Sequence, residues 1–590
     1  MLKHVIILGG GVAGMSAAHE LAERGFKVTV FEKQRSLPGG KARSIPVEGT
    51  AAGGREPLPG EHGFRFFPGF YKHIIDTMER IPLMDGTGKR SVCDNLIECP
   101  NMILARMDKL PIVLPNHFPR SFRELKQMIS RLLNADTVLE PGEQDLMTRK
   151  LWQLMTSCKE RRINEYERIG WWEFTEADRH SKAYQTLFAD GLTRTLVAAR
   201  AETCNTKTNG DVLVQLLFNM GNPAVKTDRI LCGPTNEKWL FPWLTYLREI
   251  GVEYHFDSEV FRLETDVESN AVTGVVVKQG HEEVLYSADY YLCALPVERA
   301  AELVKKSALN ELHQEFNNII ALSKCVAWMN GMQFFLREDV SLEKGHVIMA
   351  DTPWALTAIS QVQFWNVDIR GYGNGGVGGI ISVDVSNWER PGILYHKPAD
   401  RCTKKEAIAE VWEQLKRSVN VGQVVLTDEN LVLAYVDGAI IFENELAAKW
   451  TEAADPELNE LMPYGSKGIN RNEEPLLVNE INTWAIRSDA RTAVSNLFLA
   501  SDYVRTHTDL ATMEGANEAA RRAVNNILEV SGSGSSFCRV WELDEPDWLL
   551  YYKRFDQRRY VQGLPWMFRE PWFAGILNVL LQIFKKLKLY

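Results

Sequence analysis

The sequence predicts an α/β fold, entered through a βαβ unit and continued by a longer region of mixed helices and strands. Three observations carry this expectation. Val5-Ile6-Ile7-Leu8 is an unbroken apolar run, the pattern of a strand buried on both faces of a parallel sheet. A glycine cluster follows, and Met15 to Arg24 has helical composition until Gly25 stops it. Lys27-Val28-Thr29-Val30-Phe31-Glu32 then reads as a second strand. With 590 residues, 45% apolar and 24% charged, the chain has an ordinary globular mixture and can bury a large core.

Further along, residues 85 to about 225 are patterned as helices, for example Phe122 to Ile129 and Asp211 to Phe218. From about 228 the texture changes. Trp239 to Ile250 is expected to be helical, and Val252 to Phe256 and Val272 to Lys278 run as strands. Between 305 and 480 short strands such as Gly379 to Val385 accompany one clear helix, Lys405 to Val419. Asn496 to Ala500 is a strand before a helix that starts near Met513. Ser531 to Ser536 has the composition of a flexible linker, which makes 537–590 an appendage. The glycine-dense stretch Arg370 to Gly379 lacks the Gly-Lys-Ser/Thr ending of a P-loop and is expected to be a mobile loop.

Composition excludes several functions. There are 67 Lys and Arg against 77 Asp and Glu, so a net charge of -10 would repel a phosphate backbone and no nucleic-acid partner is expected. The nine cysteines form no C-x-x-C pair and the twelve histidines no H-E-x-x-H, so no metal site, zinc site or disulfide framework is expected. Reduced thiols, no export segment at the N-terminus and no run of 18 apolar residues together imply a cytoplasmic location without a spanning helix.

Gly9-Gly10-Gly11-Val12-Ala13-Gly14 satisfies G-x-G-x-x-G between a strand and a helix, the Rossmann-type arrangement. The first glycine permits the turn, the second admits a pyrophosphate to the backbone, and the third lets helix and strand pack closely. The helix start then offers free amides and the positive end of its dipole. Glu32, 18 residues after Gly14 and followed by Lys33, is placed to accept hydrogen bonds from a ribose diol. Up to this point NAD and FAD fit equally. Gly39-Gly40-Lys41-Ala42-Arg43 then supplies a second glycine turn with two cations. It suits pyrophosphate held from the other side and leaves room for a flat ring, so FAD is the expected cofactor.

These motifs resemble the flavin amine oxidase and phytoene desaturase superfamily, and the Gly-Gly-Lys form is similar to the phytoene and zeta-carotene desaturases. Glu61-His62-Gly63-Phe64-Arg65-Phe66-Phe67-Pro68-Gly69-Phe70-Tyr71 resembles the stretch that runs beside the flavin in those enzymes. Gly233 to Leu244, the strand with Val260, and Ala288 to Val297 with Ala294 resemble the family's second flavin segment. There Val260 would meet the adenine with its backbone. Asn496 to Tyr503 and Ala511-Thr512-Met513-Glu514-Gly515-Ala516 resemble the closing flavin motif. The resemblance implies that Asp502 accepts ribityl hydroxyls, and that amides around Met513, Glu514 and Ala516 open a helix toward the flavin edge that becomes anionic on reduction. Ser501 stands where the family usually has glycine.

The implied architecture is a Rossmann-type FAD-binding domain from 1–75, 228–300 and 478–530, with an interleaved α+β substrate domain from 76–227 and 301–477. The implied reaction is desaturation of a hydrophobic, isoprenoid or carotenoid-like small molecule by hydride transfer to flavin N5, with a quinone as a candidate acceptor. No residue stands out as the substrate base. Amine oxidation, FAD-dependent isomerisation of an isoprenoid or fatty acid, and a peripheral lipid-binding flavoprotein are the alternatives. Trp171-Trp172-Glu173-Phe174 fits core packing better than a substrate tunnel. In the tail, Phe573, Ile576, Leu577, Leu580, Phe584 and Leu587 share one helical face beside Lys585, Lys586 and Lys588. That face suits either the inner surface of a membrane or docking on the protein itself.

Overall fold

The computed structural model describes residues 2–568 except 85, 87, 114–120, 134–138, 192–193, 195–197, 220–226, 341, 350 and 443–469. In chain order its main elements are β1 (His4–Leu8), α1 (Val12–Ala22), β2 (Lys27–Phe31), α2 (His73–Arg80), β3 (Asn101–Arg106), β4 (Lys109–Val113), α3 (Phe122–Leu133), α4 (Glu143–Thr156) and α5 (Thr206–Asn219). There follow α6 (Phe241–Glu249), β5 (Glu253–His255), β6 (Glu259–Asp266), β7 (Ala271–Gln279), β8 (Glu282–Tyr286), β9 (Tyr290–Cys293) and α7 (Val297–Lys306). The rest are β10 (Asn330–Leu336), β11 (Gly345–Met349), β12 (Leu356–Ser360), β13 (Gly379–Val385), α8 (Lys404–Val419), β14 (Leu431–Val436), β15 (Leu497–Leu499), α9 (Met513–Ser531) and α10 (Leu550–Val561).

Two sheets organise these elements. The first is fully parallel, in the order β5-β2-β1-β9-β15. Its central strand β1 is buried from Val5 through Leu8, as its apolar run requires when helices cover both faces. On one face α1 packs on α9 through small residues, Ala17 and Ala18 with Ala519, Ala520 and Ala523 buried, so the two helices come close. Asn517 fixes their register by donating to Ser16 Oγ at 2.8 Å and to Thr77 Oγ1 of α2 at 2.9 Å.

The second sheet has seven strands in the order β14-β10-β13-β12-β11-β3-β4, antiparallel except where β11 runs parallel to β3. Its outer face is apolar and lies under α8, where Phe334, Val347, Leu356, Ile381 and Val383 pack with Val411 and Leu415. A Thr403–Glu406 capping box starts that helix. Strands β3 and β4 fall within the region whose patterning reads as helical. Met102-Ile103-Leu104-Ala105 is a short apolar run, and such runs take the secondary structure their neighbours impose. The pairing also joins the segments 76–227 and 301–477 into one sheet.

Helices α3, α4 and α5 form a third layer around Trp152, Trp171, Phe174 and Phe188. Trp171 and Phe174 are core residues in that layer. None of the nine cysteines is in a disulfide.

Three composition-based expectations give way. Ser531 to Ser536 is not a free linker. α9 extends to Ser531, Gly532 caps it at φ +64°, and Arg24 Nε donates to the Ser536 carbonyl at 2.8 Å. The following residues are packed and not appended. Cys538 exchanges hydrogen bonds with Asn525, the Trp541 amide donates to His73 Nε2, and Asp556 accepts from the buried Arg161 at 3.0 Å. Trp566 Nε1 reaches Thr156 Oγ1 at 3.2 Å, so the beginning of the tail rests on the helical layer. The amphipathic stretch from Phe573 lies outside the described residues. Likewise, the glycine-dense stretch is pinned: Gly373 donates to the Glu56 carbonyl, Gly378 to that of Leu336, and Tyr372 Oη to Glu237. Among the described residues no helix is long and apolar enough to cross a membrane, and no His/Cys/Asp/Glu group could hold a metal.

Candidate functional site

A cavity of about 450 Å³ runs from the carboxyl ends of the parallel sheet to the inner face of the seven-stranded sheet. Brought together on its wall are Gly9, Gly11, Val12, Ala13, Glu32, Lys33, Gly39, Gly40, Lys41, Arg43, Gly63, Phe64, Arg65, Val260, Ala294, Asp502, Met513 and Ala516. Gly14 and Glu514 do not line it. A side chain at Gly14 would land on the Gly9 carbonyl oxygen, so this glycine serves the contact between α1 and β1. The Glu514 carboxylate turns away to α2, where it accepts from the amides of Lys72, His73 and Ile74 and pairs with His73 Nδ1 at 2.7 Å. Those amides are the orphan donors of a helix start, and the interactions hold the Glu514 carboxyl below its ordinary range against the opposing effect of burial.

The first glycine turn is held in shape by two side chains. Glu32 accepts the Gly10 amide on Oε2 at 2.9 Å and the Gln34 amide on Oε1 at 2.8 Å. Burial nevertheless raises its affinity for a proton. Tyr254, on β5, donates its hydroxyl to the Gly10 carbonyl at 2.7 Å. Nothing in the motif points to Tyr254. It arrives because β5 pairs with β2 at Val30. Gly9 lies at φ +101°, and Gly39 and Gly40 at +92° and +56°, conformations that favour glycine.

The two cations after the second turn are both engaged by carboxylates. Lys41 Nζ lies 3.1 Å from Glu298 Oε1 and donates to the Pro475 carbonyl. Burial works against its charge, but Glu298 and Asp502 outweigh it and raise its pKa. Arg43 is bidentate on Glu474, at 2.8 and 3.2 Å. Arg65 donates to the Lys41 carbonyl at 3.2 Å. His62 Nδ1 sits 2.7 Å from Asp437 Oδ2. At the closing motif, Ser501 takes φ +148°, a backbone state that favours glycine, and its hydroxyl donates to Asp502 Oδ1 at 3.3 Å. Thr512 caps α9 by accepting the Gly515 amide.

The sheet side of the cavity was invisible to motif reading. Met102, His346, Thr357 and Asp384 come from four neighbouring strands and lie on one face, as the pairings His346 with Met102 and Thr357 with Asp384 require. Burial pushes His346 down to about 4, which keeps the imidazole neutral. Burial pushes Asp384 up to about 7, opposed by Arg65 and His62. Phe64, Phe66, Phe70, Val212, Leu216 and Met329 add apolar side chains to the cavity lining, Phe64 and Phe66 packing on His346.

The residues present fit FAD. The α1 N-terminus has no side-chain cap and opens on the cavity, and a Cβ at Gly11 would meet only Gly40 Cα at 3.8 Å. An uncapped helix start behind a bare glycine is the backbone that a pyrophosphate needs. The cavity then continues far enough to reach the start of α9.

Comparison with known proteins agrees. Residues 7–81 match the NAD(P)-binding Rossmann-like domain, and residues 244–528 match the flavin containing amine oxidoreductase family. A carotenoid phi-ring synthase of Chlorobaculum tepidum is 44% identical over 70 residues, 12% of this chain and 10% of that protein. An all-trans-zeta-carotene desaturase of Myxococcus xanthus is 48% identical over 46 residues, 8% of each chain. The chain thus matches a tenth or less of the length of these relatives. Among solved structures, cyclohexylamine oxidase from Brevibacterium oxydans superposes with a TM-score of 0.57 at 12% identity, over 90% of this chain and all of that one. An oxidoreductase from Methanosarcina mazei gives 0.55 at 13% identity, over 89% of this chain and all of that one. Residues 244–528 thus resemble the flavin containing amine oxidoreductases behind a Rossmann-like dinucleotide-binding segment, and short stretches resemble carotenoid desaturases.

Proposed function

We propose that this enzyme dehydrogenates a hydrophobic, isoprenoid-like chain. The observation that carries the reading is the set of large apolar side chains in the cavity lining, Phe64, Phe66, Phe70, Val212, Leu216 and Met329. An amine substrate enters as an ammonium ion and calls for a carboxylate. On the sheet wall the carboxyl is Asp384, whose affinity for a proton burial raises, and of the other carboxylates lining the cavity Glu298 and Glu474 are already paired with Lys41 and Arg43. The names of the carotenoid relatives favour the same substrate class.

The chain's own groups have the following roles. With FAD bound, Gly11 and the α1 start would hold the pyrophosphate, Glu32 would face the adenosine ribose while bracing the Gly10 amide, and Val260 would meet the adenine. Lys33, Val12, Ala13 and Ala294 complete that wall, and Gly63 to Arg65 form the strip beside the ring. Asp502 would take the ribityl hydroxyls, and the first turn of α9 at Met513 and Ala516 would direct its dipole at the flavin. The chemistry that FAD supplies when bound is acceptance of a hydride. Loss of that hydride and of a proton from the adjacent carbon gives the substrate a new double bond. The apolar wall excludes water and aligns the chain.

Anaerobic incubation of the purified yellow protein with a partly saturated carotene tests this. The expected result is bleaching of the flavin band together with longer-wavelength polyene absorbance. Bleaching by aliphatic amines, with peroxide release on admission of air and no response to the carotene, would replace the reading with amine oxidation.

A further inference from the structure

The apolar end of the cavity contains polar atoms that have nothing to bond to. Both ring nitrogens of His346 and Oδ1 of Asp384 are buried without a hydrogen-bond partner among the described residues. Each residue is only 7% exposed and lines the cavity. Burying such atoms unpaired is costly, so a site that keeps them is shaped for a complex in which they are satisfied. The His346 ring is fixed by Phe64 and Phe66, with centroids 5.3 and 5.0 Å away, so it cannot swing out to water without breaking aromatic contacts.

A hydrocarbon offers these atoms nothing. We propose that the occupant of the cavity is an apolar molecule that carries a hydroxyl or carbonyl oxygen, and that His346 is the group that binds this oxygen. A neutral imidazole has one donor and one acceptor, which matches a hydroxyl on both counts. Burial keeps His346 in that neutral form through the physiological range. Asp384, two strands away on the same face, offers a second partner when protonated. The inference rests on the apolar-substrate reading and narrows it to oxygenated isoprenoids.

The test uses the FAD-loaded protein and two probes of equal length, farnesol and the corresponding hydrocarbon farnesene, with binding followed by perturbation of the flavin spectrum and of tryptophan fluorescence. Wild type is expected to bind farnesol about tenfold more tightly, the value of one neutral hydrogen bond that is otherwise left unmade. His346→Phe should erase that preference and leave farnesene binding within about twofold, and His346→Gln, which keeps a donor and an acceptor, should restore part of it. Equal affinities in wild type overturn the proposal, and this comparison needs no variant to fold. A ligand-free His346→Phe protein that loses its flavin, or shows a displaced visible spectrum, also overturns it, because the ring would then serve the cofactor. Binding of neither probe removes the apolar-substrate reading itself, whereas binding of both without preference removes only the assignment of His346.

Discussion

The two walls of the cavity are built on opposite plans. The loop wall works through backbone: Gly9, Gly11, Gly39 and Gly40 remove side chains so that amides and a helix start face the ligand. The sheet wall works through side chains: His346, Thr357 and Asp384 project from separate strands and are collected by pairing. A backbone wall depends on what is absent and tolerates almost no added atom. A side-chain wall depends on what is present and can be edited with the fold intact.

The sharpest way to break this contrast is within the loop wall. Gly14→Val should yield no folded protein, because its side chain would meet the Gly9 carbonyl oxygen and α1 would have to leave β1. Gly11→Val should fold, since only Gly40 Cα lies near, yet purify colourless because the side chain fills the phosphate seat. Circular dichroism and visible absorbance separate the two outcomes, and a yellow Gly11→Val protein would dislodge the pyrophosphate from this position.

On the sheet wall the largest effect is in pH dependence. The folded protein holds a proton on Asp384 up to about pH 7, whereas the ordinary value is 3.8. A pKa raised by folding means that the native state binds more protons across that interval, so stability declines as pH rises from about 4 to about 7. Below about 4 the penalty is absent, and above 7 it is complete, at up to about 4 kcal/mol. Asp384→Asn should remove it, giving apoprotein melting temperatures that fall less between pH 5 and 7.5 than those of wild type. Parallel curves would show that Asp384 is ionised in the folded state.

Smaller effects should come from the side chains that brace the loop wall. Glu32→Ala orphans the amides of Gly10 and Gln34, at about 1–3 kcal/mol, and should weaken FAD retention during dialysis. Retention equal to wild type would reduce Glu32 to a bystander. Tyr254→Phe removes one bond to the Gly10 carbonyl and should cost about 1 kcal/mol of thermal stability with the flavin spectrum unchanged.

The same contrast explains what could be read from sequence. The loop wall was legible because its requirements fall on consecutive residues: Gly9 to Gly14 and Gly39 to Arg43 carry their geometry locally. Tyr254 was not, since it depends on which strand lies beside β2. His346 and Asp384 depend on pairing across strands far apart in the chain. A partial signal existed in Gly379-Ile-Ile-Ser-Val-Asp-Val, where Ser382 and Asp384 alternate with Ile381 and Val383 and so mark one polar face. Strands β3 and β4 escape a reading of pattern because Met102 to Ala105 has no period of its own and is held extended by pairing with β11 and β4. Composition misjudged Ser531 to Ser536, where serine and glycine terminate α9 and turn the chain back onto Arg24.

That turn has a practical reach. From Cys538 to Trp566 the polypeptide acts as a strap: it is clipped to α9 at Asn525, touches α2 through Trp541, and is locked to Arg161 of the helical layer by Asp556. One short stretch therefore sutures α9 and α2, which pack beside the parallel sheet, to the helical layer. A stop codon placed after Ser536, at what passes for a domain boundary, would leave the Arg161 guanidinium entombed without Asp556 and let those elements rock, so trimmed expression versions should retain residues through at least Trp566.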